Sequence, residues 1–209
     1  MNLAALHIAN LTDARYFSAH EMAWLGFSLD IGSAAYLSPD KLREIRAWVE
    51  GPLIFGELGA QSPEEVAELV RECALDGVVA GMFHDPADLS AIPGLRVVQE
   101  LVWDPTATAE ELLRRAQEAA PYVEAFLLDL SKNALRFEAL RDSGLLEVLQ
   151  ALCRTHRVWV HADFPAHQLR EAHETLGPYG WCVHGGSEIR TGIKSYDELD
   201  EWLEAAEEL

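Results

Sequence analysis

The chain has 209 residues, of which 24% are charged and 49% are hydrophobic, an ordinary composition for a globular protein. No apolar run reaches the roughly 20 residues that a membrane-spanning helix needs, and no basic segment precedes the short apolar stretch at the N-terminus. We therefore expect a cytoplasmic protein without a membrane contact. The chain is also strongly acidic: its 16 basic and 35 acidic residues give a formal net charge of −19, which would repel a phosphate backbone and argues against nucleic acid as a partner.

Eight apolar runs of strand length recur along the chain, with amphipathic segments between them. Helix-start signals precede several of these segments, such as Ser38-Pro39-Asp40 and Ser62-Pro63-Glu64, in which serine can cap the helix and proline suits its first turn. The predicted strands are 3–8, 24–29, 53–58, 77–83, 95–102, 124–128, 158–162 and 181–183, and the later helices are 135–154, 168–176 and a C-terminal helix from 197. Between strands four and five, residues 85–94 leave room for one helical turn.

Strands that alternate with helices require a parallel sheet, and eight such units predict a closed (β/α)8 TIM barrel that forms one domain over residues 1–209. An open doubly wound sheet is the structural alternative. The glycine-rich dinucleotide-binding fingerprint of that fold is absent after the first strand. The barrel is therefore favoured.

Polar residues that end these apolar runs are the first functional candidates, because the working face of a TIM barrel lies at the carboxyl ends of its strands. Strands six, seven, eight and one are consecutive around a closed barrel and end in Asp129, His161, His184 and His7. Such a cluster could bind a divalent metal, which makes a metal-dependent enzyme one alternative, although no local metal-binding motif is present and we predict no cofactor. The complete set of polar strand ends is His7, Asp30, Glu57, His84, Glu100, Asp129, His161 with Asp163, and His184.

Two adjacent glycines, Gly185 and Gly186, come directly after the eighth strand and are followed by Ser187. Glycine leaves backbone N–H groups unshielded, and the loops after strands seven and eight bind phosphate in many barrels. A ligand-binding loop and a plain turn are both compatible with this spacing. As a ligand-binding loop it would include Gly185, Gly186 and Ser187, with His161 and His184 beside it.

Five segments, in the order and strand positions expected, make the sequence resemble the phosphoribosylanthranilate isomerase family of the tryptophan pathway. They are residues 6–12, 26–27, 36–39, 127–129 and 183–194. The first resembles the family's Val-Lys-Ile-Cys-Gly-Ile-Thr, the third its Tyr-Ile-Ser-Pro, and the fourth its Leu-Leu-Asp. The resemblance implies a barrel that catalyses an Amadori rearrangement, in which an acid protonates the furanose ring oxygen and a base removes the sugar C2 proton.

The same resemblance implies an incomplete active site. The family's acid corresponds to Asp129, but its cysteine base corresponds to Ala9, which cannot accept a proton; His7, assigned to the same side of the strand one layer deeper, is a possible replacement. The arginine that holds the anthranilate carboxylate corresponds to Ala35. The phosphate loop after strand seven reads Ala162-Asp163-Phe164, which would place a carboxylate and a bulky ring against the phosphate.

We therefore expect a diverged relative with catalytic residues Asp129 and His7. It would act on or bind a small sugar-phosphate-like or other anionic metabolite at the C-terminal face of the barrel, and its activity on phosphoribosylanthranilate would be reduced or lost. Two alternatives remain open, a metal-dependent enzyme built on the His and Asp cluster and a non-catalytic barrel that binds a metabolite or a protein.

Overall fold

The computed structural model describes residues 1–103, 108–133, 135–142, 144–185, 187–190 and 193–209, and only the backbone at 133, 141, 142, 187–190, 193 and 194. Eight parallel strands close into a barrel in sequential order, which confirms the predicted (β/α)8 fold. The barrel strands are β1 Asn2–Leu6, β2 Trp24–Ser28, β3 Leu53–Glu57, β4 Gly77–Ala80, β5 Arg96–Leu101, β6 Ala125–Asp129, β7 Val158–His161 and β8 Gly180–His184. Closure pairs all five residues of β1 with β8, from Asn2 opposite Gly180 to Leu6 opposite His184.

Helices cover the outside of the barrel and begin largely where the capping residues predict. Ser38 caps α2, and Ser62 forms a reciprocal capping box with Glu65 at the start of α3. The helices are α1 Leu11–Ala19, α2 Pro39–Arg46, α3 Pro63–Cys73, α4 Pro86–Ser90, α5 Ala109–Ala119, α6 Phe137–Asp142, α7 Leu145–Thr155, α8 Ala166–Leu176 and α9 Asp197–Glu207. Within the described residues, no helix has the length and apolar character needed to cross a membrane.

Two elements differ from the sequence-based prediction. The single helix expected over 135–154 is divided into α6 and α7, because Gly144 adopts a left-handed φ of 69° immediately before α7 begins. Beyond β8, the chain forms a short antiparallel hairpin of β9 Ser187–Arg190 and β10 Ile193–Ser195, which was not predicted. The hairpin begins at Ser187, the last residue of the glycine loop predicted after β8.

The apolar residues form two separate cores, one between strands and helices and one inside the barrel. Aromatic rings fill the lower part of the interior: Trp24 stacks on Phe55 with centroids 5.0 Å apart and meets Trp159 edge-on at 5.5 Å. Leu6 and Leu127 belong to the same inner core and line the floor of a cavity above it. The interior is therefore packed below a cavity at the carboxyl ends of the strands.

Candidate active site at the barrel mouth

A cavity of about 160 Å³ opens at the carboxyl ends of the strands. Five of the polar strand ends singled out from the sequence line it: His7, Asp30, Glu57, Glu100 and Asp129. Lys132, which was not singled out, lines it as well. The expectation that polar strand ends converge on one hollow is thus met by these five, whereas His84 instead contacts the backbone oxygen of Gln61 through Nε2 at 3.0 Å.

His7 is held in an unusual conformation by Glu57. Its φ of 56° lies in the left-handed region, which a side chain with a Cβ rarely adopts. The His7 backbone N–H donates to Glu57 Oε1 at 2.6 Å, and the ring Nδ1 forms an ion pair with Glu57 Oε2. Both carboxylate oxygens of one residue therefore bind His7, and this pair fixes the backbone and the ring together.

Gly26 on β2 makes this pairing possible. Glu57 ends β3, and β2 lies between β3 and β1, so the carboxylate must cross a strand to reach His7. A Cβ at Gly26 would lie 2.5 Å from Glu57 Oε1, which is closer than real Cβ contacts. The absence of a side chain at position 26 gives the carboxylate its path, a role that no local feature of the sequence around Gly26 indicates.

The Glu57 carboxylate makes His7 a stronger base than an ordinary histidine. Hydrogen bonding to Glu57 raises the pKa of His7 above 6.5, and this outweighs the opposing effect of burial. The His7 side chain is 40% exposed, so it is accessible from the cavity while its Nδ1 faces Glu57. An imidazole oriented by a buried carboxylate is suited to proton transfer near neutral pH.

Asp129 ends β6 and is 5% exposed. Its Oδ1 accepts hydrogen bonds from the backbone N–H of Ser131 at 3.0 Å, from the Ser131 hydroxyl at 2.6 Å and from the backbone N–H of Lys132 at 3.4 Å. The other oxygen, Oδ2, makes no hydrogen bond with any described residue. The Lys132 ammonium forms an ion pair with Glu100 and therefore does not neutralise Asp129.

His161 and His184 stack on each other with centroids 3.7 Å apart, and His184 also contacts the His7 ring at 4.5 Å. They lie beside His7, behind the cavity lining rather than on it. His161 Nδ1 bonds to the Cys182 carbonyl oxygen at 2.8 Å, and a carbonyl can only accept, so the hydrogen resides on Nδ1. Burial, with His161 and His7 nearby, lowers the pKa of His184 to about 2, which keeps its ring neutral. Their assignment as ligand-binding residues remains a prediction.

The metal-dependent alternative finds no support in the described part of the chain. No group of three or more histidine, cysteine, aspartate or glutamate side chains among those residues is arranged to hold an ion. Stacking contributes to this, because the rings of His161 and His184 lie 3.7 Å apart with planes only 22° apart, and lone pairs confined to two such planes are poorly placed to meet at one ion.

The glycine loop is only partly described. Gly185 is half-buried at the end of β8, Gly186 lies outside the described residues, and Ser187 begins β9 with only its backbone described. The ligand-binding role of these three residues stays a prediction.

Comparison with known proteins identifies the relatives of this barrel. No family model matches the chain. The N-(5'-phosphoribosyl)anthranilate isomerase of Chlorobium phaeobacteroides is 25% identical over 189 residues, covering 87% of this chain and 86% of that protein. That of Pelodictyon phaeoclathratiforme is 25% identical over 206 residues, covering 95% and 94%. The chain is thus similar to phosphoribosylanthranilate isomerases over most of its length. The resemblance drawn from short sequence segments is thereby confirmed.

Solved phosphoribosylanthranilate isomerases share the fold over the full length. The enzyme from Thermotoga maritima aligns with a TM-score of 0.80 at 18% identity, covering 100% of both chains. Another, solved in complex with reduced 1-(o-carboxyphenylamino)-1-deoxyribulose 5-phosphate, aligns with a TM-score of 0.77 at 18% identity over 100% of both chains. At 18% identity these alignments establish the barrel fold, and the chemistry has to be inferred from the residues at the barrel mouth.

The assignment of Ala9 to the position of the isomerases' cysteine base is wrong. Along β1 the inward-facing residues are Ala4 and Leu6, and the chain then turns at His7. Ala9 is exposed in a groove between α1 and α2 and does not line the cavity, whereas Leu6 does. Leu6 therefore takes the inward position assigned to Ala9, and His7 lies above Leu6 rather than one layer deeper than Ala9. Leucine accepts no proton either, so the predicted loss of the family's base stays a prediction with Leu6 in place of Ala9.

The other departures from the isomerases have mixed outcomes. Alanine at position 35 offers no cation to a ligand carboxylate, and the Ala35 backbone N–H donates to Ser33 Oγ at 3.1 Å. The expectation that the Phe164 ring lies against the phosphate is wrong. The ring is buried in the outer core, with its centroid 5.5 Å from that of Phe137 and 6.1 Å from that of Trp181. Asp163 is exposed.

Proposed function

We propose that this chain is an isomerase-type enzyme that moves protons on a small polar metabolite at the barrel mouth, with His7 as general base and Asp129 as general acid. The observation that carries the proposal is the His7–Glu57 pair, which lines the same cavity as Asp129. Descent from enzymes of tryptophan biosynthesis supports a reaction of the same general type, because ring opening and enolisation need one acid and one separate base.

Each group has a distinct part in this chemistry. Neutral His7 removes a carbon-bound proton, and the Glu57 carboxylate stabilises the imidazolium that forms. The Asp129 carboxylate contacts the substrate through Oδ2, takes up a proton from the substrate or solvent, and donates that proton to an oxygen of the substrate as general acid. Oδ1 stays bound to Ser131, which keeps the carboxyl oriented during the transfer.

Activity on phosphoribosylanthranilate itself is expected to be reduced or lost. The cavity has Leu6 at the inward position of β1 and no cation at position 35 for the anthranilate carboxylate. His7 lies above the inward position of β1, and a general base displaced from the proton that it must remove forfeits up to about two to four orders of magnitude in rate. A tryptophan auxotroph that lacks the isomerase should therefore not grow when this chain is expressed at ordinary levels, and growth would contradict this part of the proposal.

Proton transfer can be tested without knowing the substrate. The purified protein is incubated with a metabolite extract in D2O and then denatured, the mixture is returned to H2O, and mass spectrometry detects deuterium retained on carbon. We expect one metabolite, or a small group, to gain deuterium with the wild-type protein and with Glu68→Gln, a control at an exposed position in the middle of α3. His7→Ala and Asp129→Asn should lose the signal. Equal labelling by wild type and both variants, or none by wild type, would favour the non-catalytic barrel.

A further inference from the structure

We propose that the mouth cavity binds a small organic amine in its cationic form, with an apolar group attached to the carbon next to the ammonium. The inference rests on the proposed function, since it names the substrate class of the same site. It departs from the anionic ligand expected from the family resemblance. Charge, hydrogen-bonding capacity, volume and the surroundings of the opening support it.

The charge of the cavity opposes an anion. Its lining holds four carboxylates, contributed by Asp30, Glu57, Glu100 and Asp129, against one lysine and His7. Lys132 is paired with Glu100 and His7 with Glu57, so no cationic side chain that the structure describes forms an ion pair with either aspartate. A phosphate or carboxylate placed here would be repelled by both, whereas an ammonium would supply the missing positive charge.

The two aspartates also lack hydrogen-bond donors on one side. Asp30 Oδ1 accepts from the backbone N–H of Gly32 at 2.9 Å, and Asp129 Oδ1 accepts from Ser131 and Lys132. Oδ2 of each has no hydrogen bond or ion pair with any residue in the described part of the chain. An ammonium group carries three N–H donors, so it can donate to a carboxylate oxygen that lacks a partner.

The size of the cavity and the residues around its opening define the rest of the ligand. A volume of about 160 Å³ corresponds to about five water molecules at 30 Å³ each, which is enough for an ammonium and its nearest carbons. Ile31 directly follows Asp30, and Met82 and Phe83 directly follow Gly81 of the lining. These three large apolar side chains are 82%, 62% and 80% exposed. We call them the apolar rim, and an apolar group outside the cavity would cover them.

Four probes of related shape separate charge from apolarity: 2-phenylethylamine, ethanolamine, 2-phenylethanol and 3-phenylpropionate. Binding is measured by calorimetry and by the shift in thermal midpoint. We expect 2-phenylethylamine to bind at least about tenfold more tightly than each of the others, and its affinity to fall as NaCl is raised. Tighter binding of 3-phenylpropionate, or equal binding of 2-phenylethanol, would overturn the proposal.

Variants locate the binding. Asp30→Asn should weaken 2-phenylethylamine about tenfold, whereas Glu68→Gln, which removes the same charge outside the cavity, should leave its affinity unchanged. Phe83→Ser should weaken 2-phenylethylamine but leave ethanolamine unaffected. Amine binding that survives Asp30→Asn and Phe83→Ser unchanged would refute the placement. Deuterium labelling by the wild-type protein alongside exclusive binding of the anionic probe would retain the proposed function and reject only the amine.

Discussion

The left-handed backbone at His7 predicts an inverted order of stability between two substitutions. At φ 56° a residue with a Cβ is strained by about 1–2 kcal/mol, and glycine is not. In ordinary backbone glycine is less stable than alanine by about 0.5–1 kcal/mol, because it loses more freedom on folding. The two effects oppose each other at position 7. His7→Gly should therefore be more stable than His7→Ala by about 1 kcal/mol.

The comparison isolates the backbone because both substitutions remove the same imidazole. Each loses the ion pair with Glu57 Oε2, and each keeps the backbone N–H that donates to Oε1. Stability is measured by urea unfolding followed by fluorescence of the chain's six tryptophans, with the m-values of the two variants required to agree. Glu68→Gly and Glu68→Ala, in the middle of α3, provide the control, and there alanine should be the more stable by about 1 kcal/mol.

If His7→Ala equals or exceeds His7→Gly in stability, the left-handed conformation and the argument built on it are refuted. If His7→Gly is the more stable variant, the protein has histidine at position 7 despite a loss of stability from backbone strain that glycine would avoid. His7→Gly should then be folded and still fail to label any metabolite in D2O, because it lacks the base. That combination would separate the chemical role of His7 from a structural one.

Further substitutions test the same pair and its surroundings. Gly26→Ala should displace the Glu57 carboxylate, lower the free energy of unfolding by about 2 kcal/mol and return the His7 pKa towards 6.5, as measured by NMR titration. Glu57→Gln should lower the His7 pKa as well. Because Glu57 raises the pKa of His7 in the folded wild-type protein, the stabilisation from this pair is fully present below pH 6.5 and is lost as pH rises through the raised pKa. The difference in unfolding free energy between wild type and Glu57→Gln should therefore narrow between pH 6 and 9. The His184 ring resonances should not titrate between pH 4 and 9, and a midpoint in that range would contradict its burial. Ala74→Gly, at the left-handed C-cap of α3 with φ 51°, should raise the melting temperature through about 1 kcal/mol of added stability.

Local sequence signals predicted the framework well because they act over a few residues. Ser38 and Ser62 cap helices through their own side chains, and each strand of the barrel wall is a short, largely apolar run of residues. Eight such units in alternation leave closure as the favoured way to bury every strand on both faces. The division at Gly144 was missed, because a helix-compatible pattern continues on both sides of that glycine.

The site depended on contacts that no local pattern contains. Alternation of side chains along β1 assumes extended backbone, so one positive φ at His7 changed which residues face the cavity and moved Ala9 outside it. The partnership of His7 with Glu57 joins residues 50 positions apart, across Gly26 of the strand between them.

From the sequence alone came the strand and helix order, the barrel and five of the ionisable groups that line its mouth. Only the tertiary structure decided which of these groups pair, which carboxylate oxygens stay free and what sign of charge the cavity presents. The physical reason is range: capping and periodicity are set by near neighbours, whereas hydrogen bonding and charge neutralisation in the cavity depend on side chains brought together by closure of the barrel.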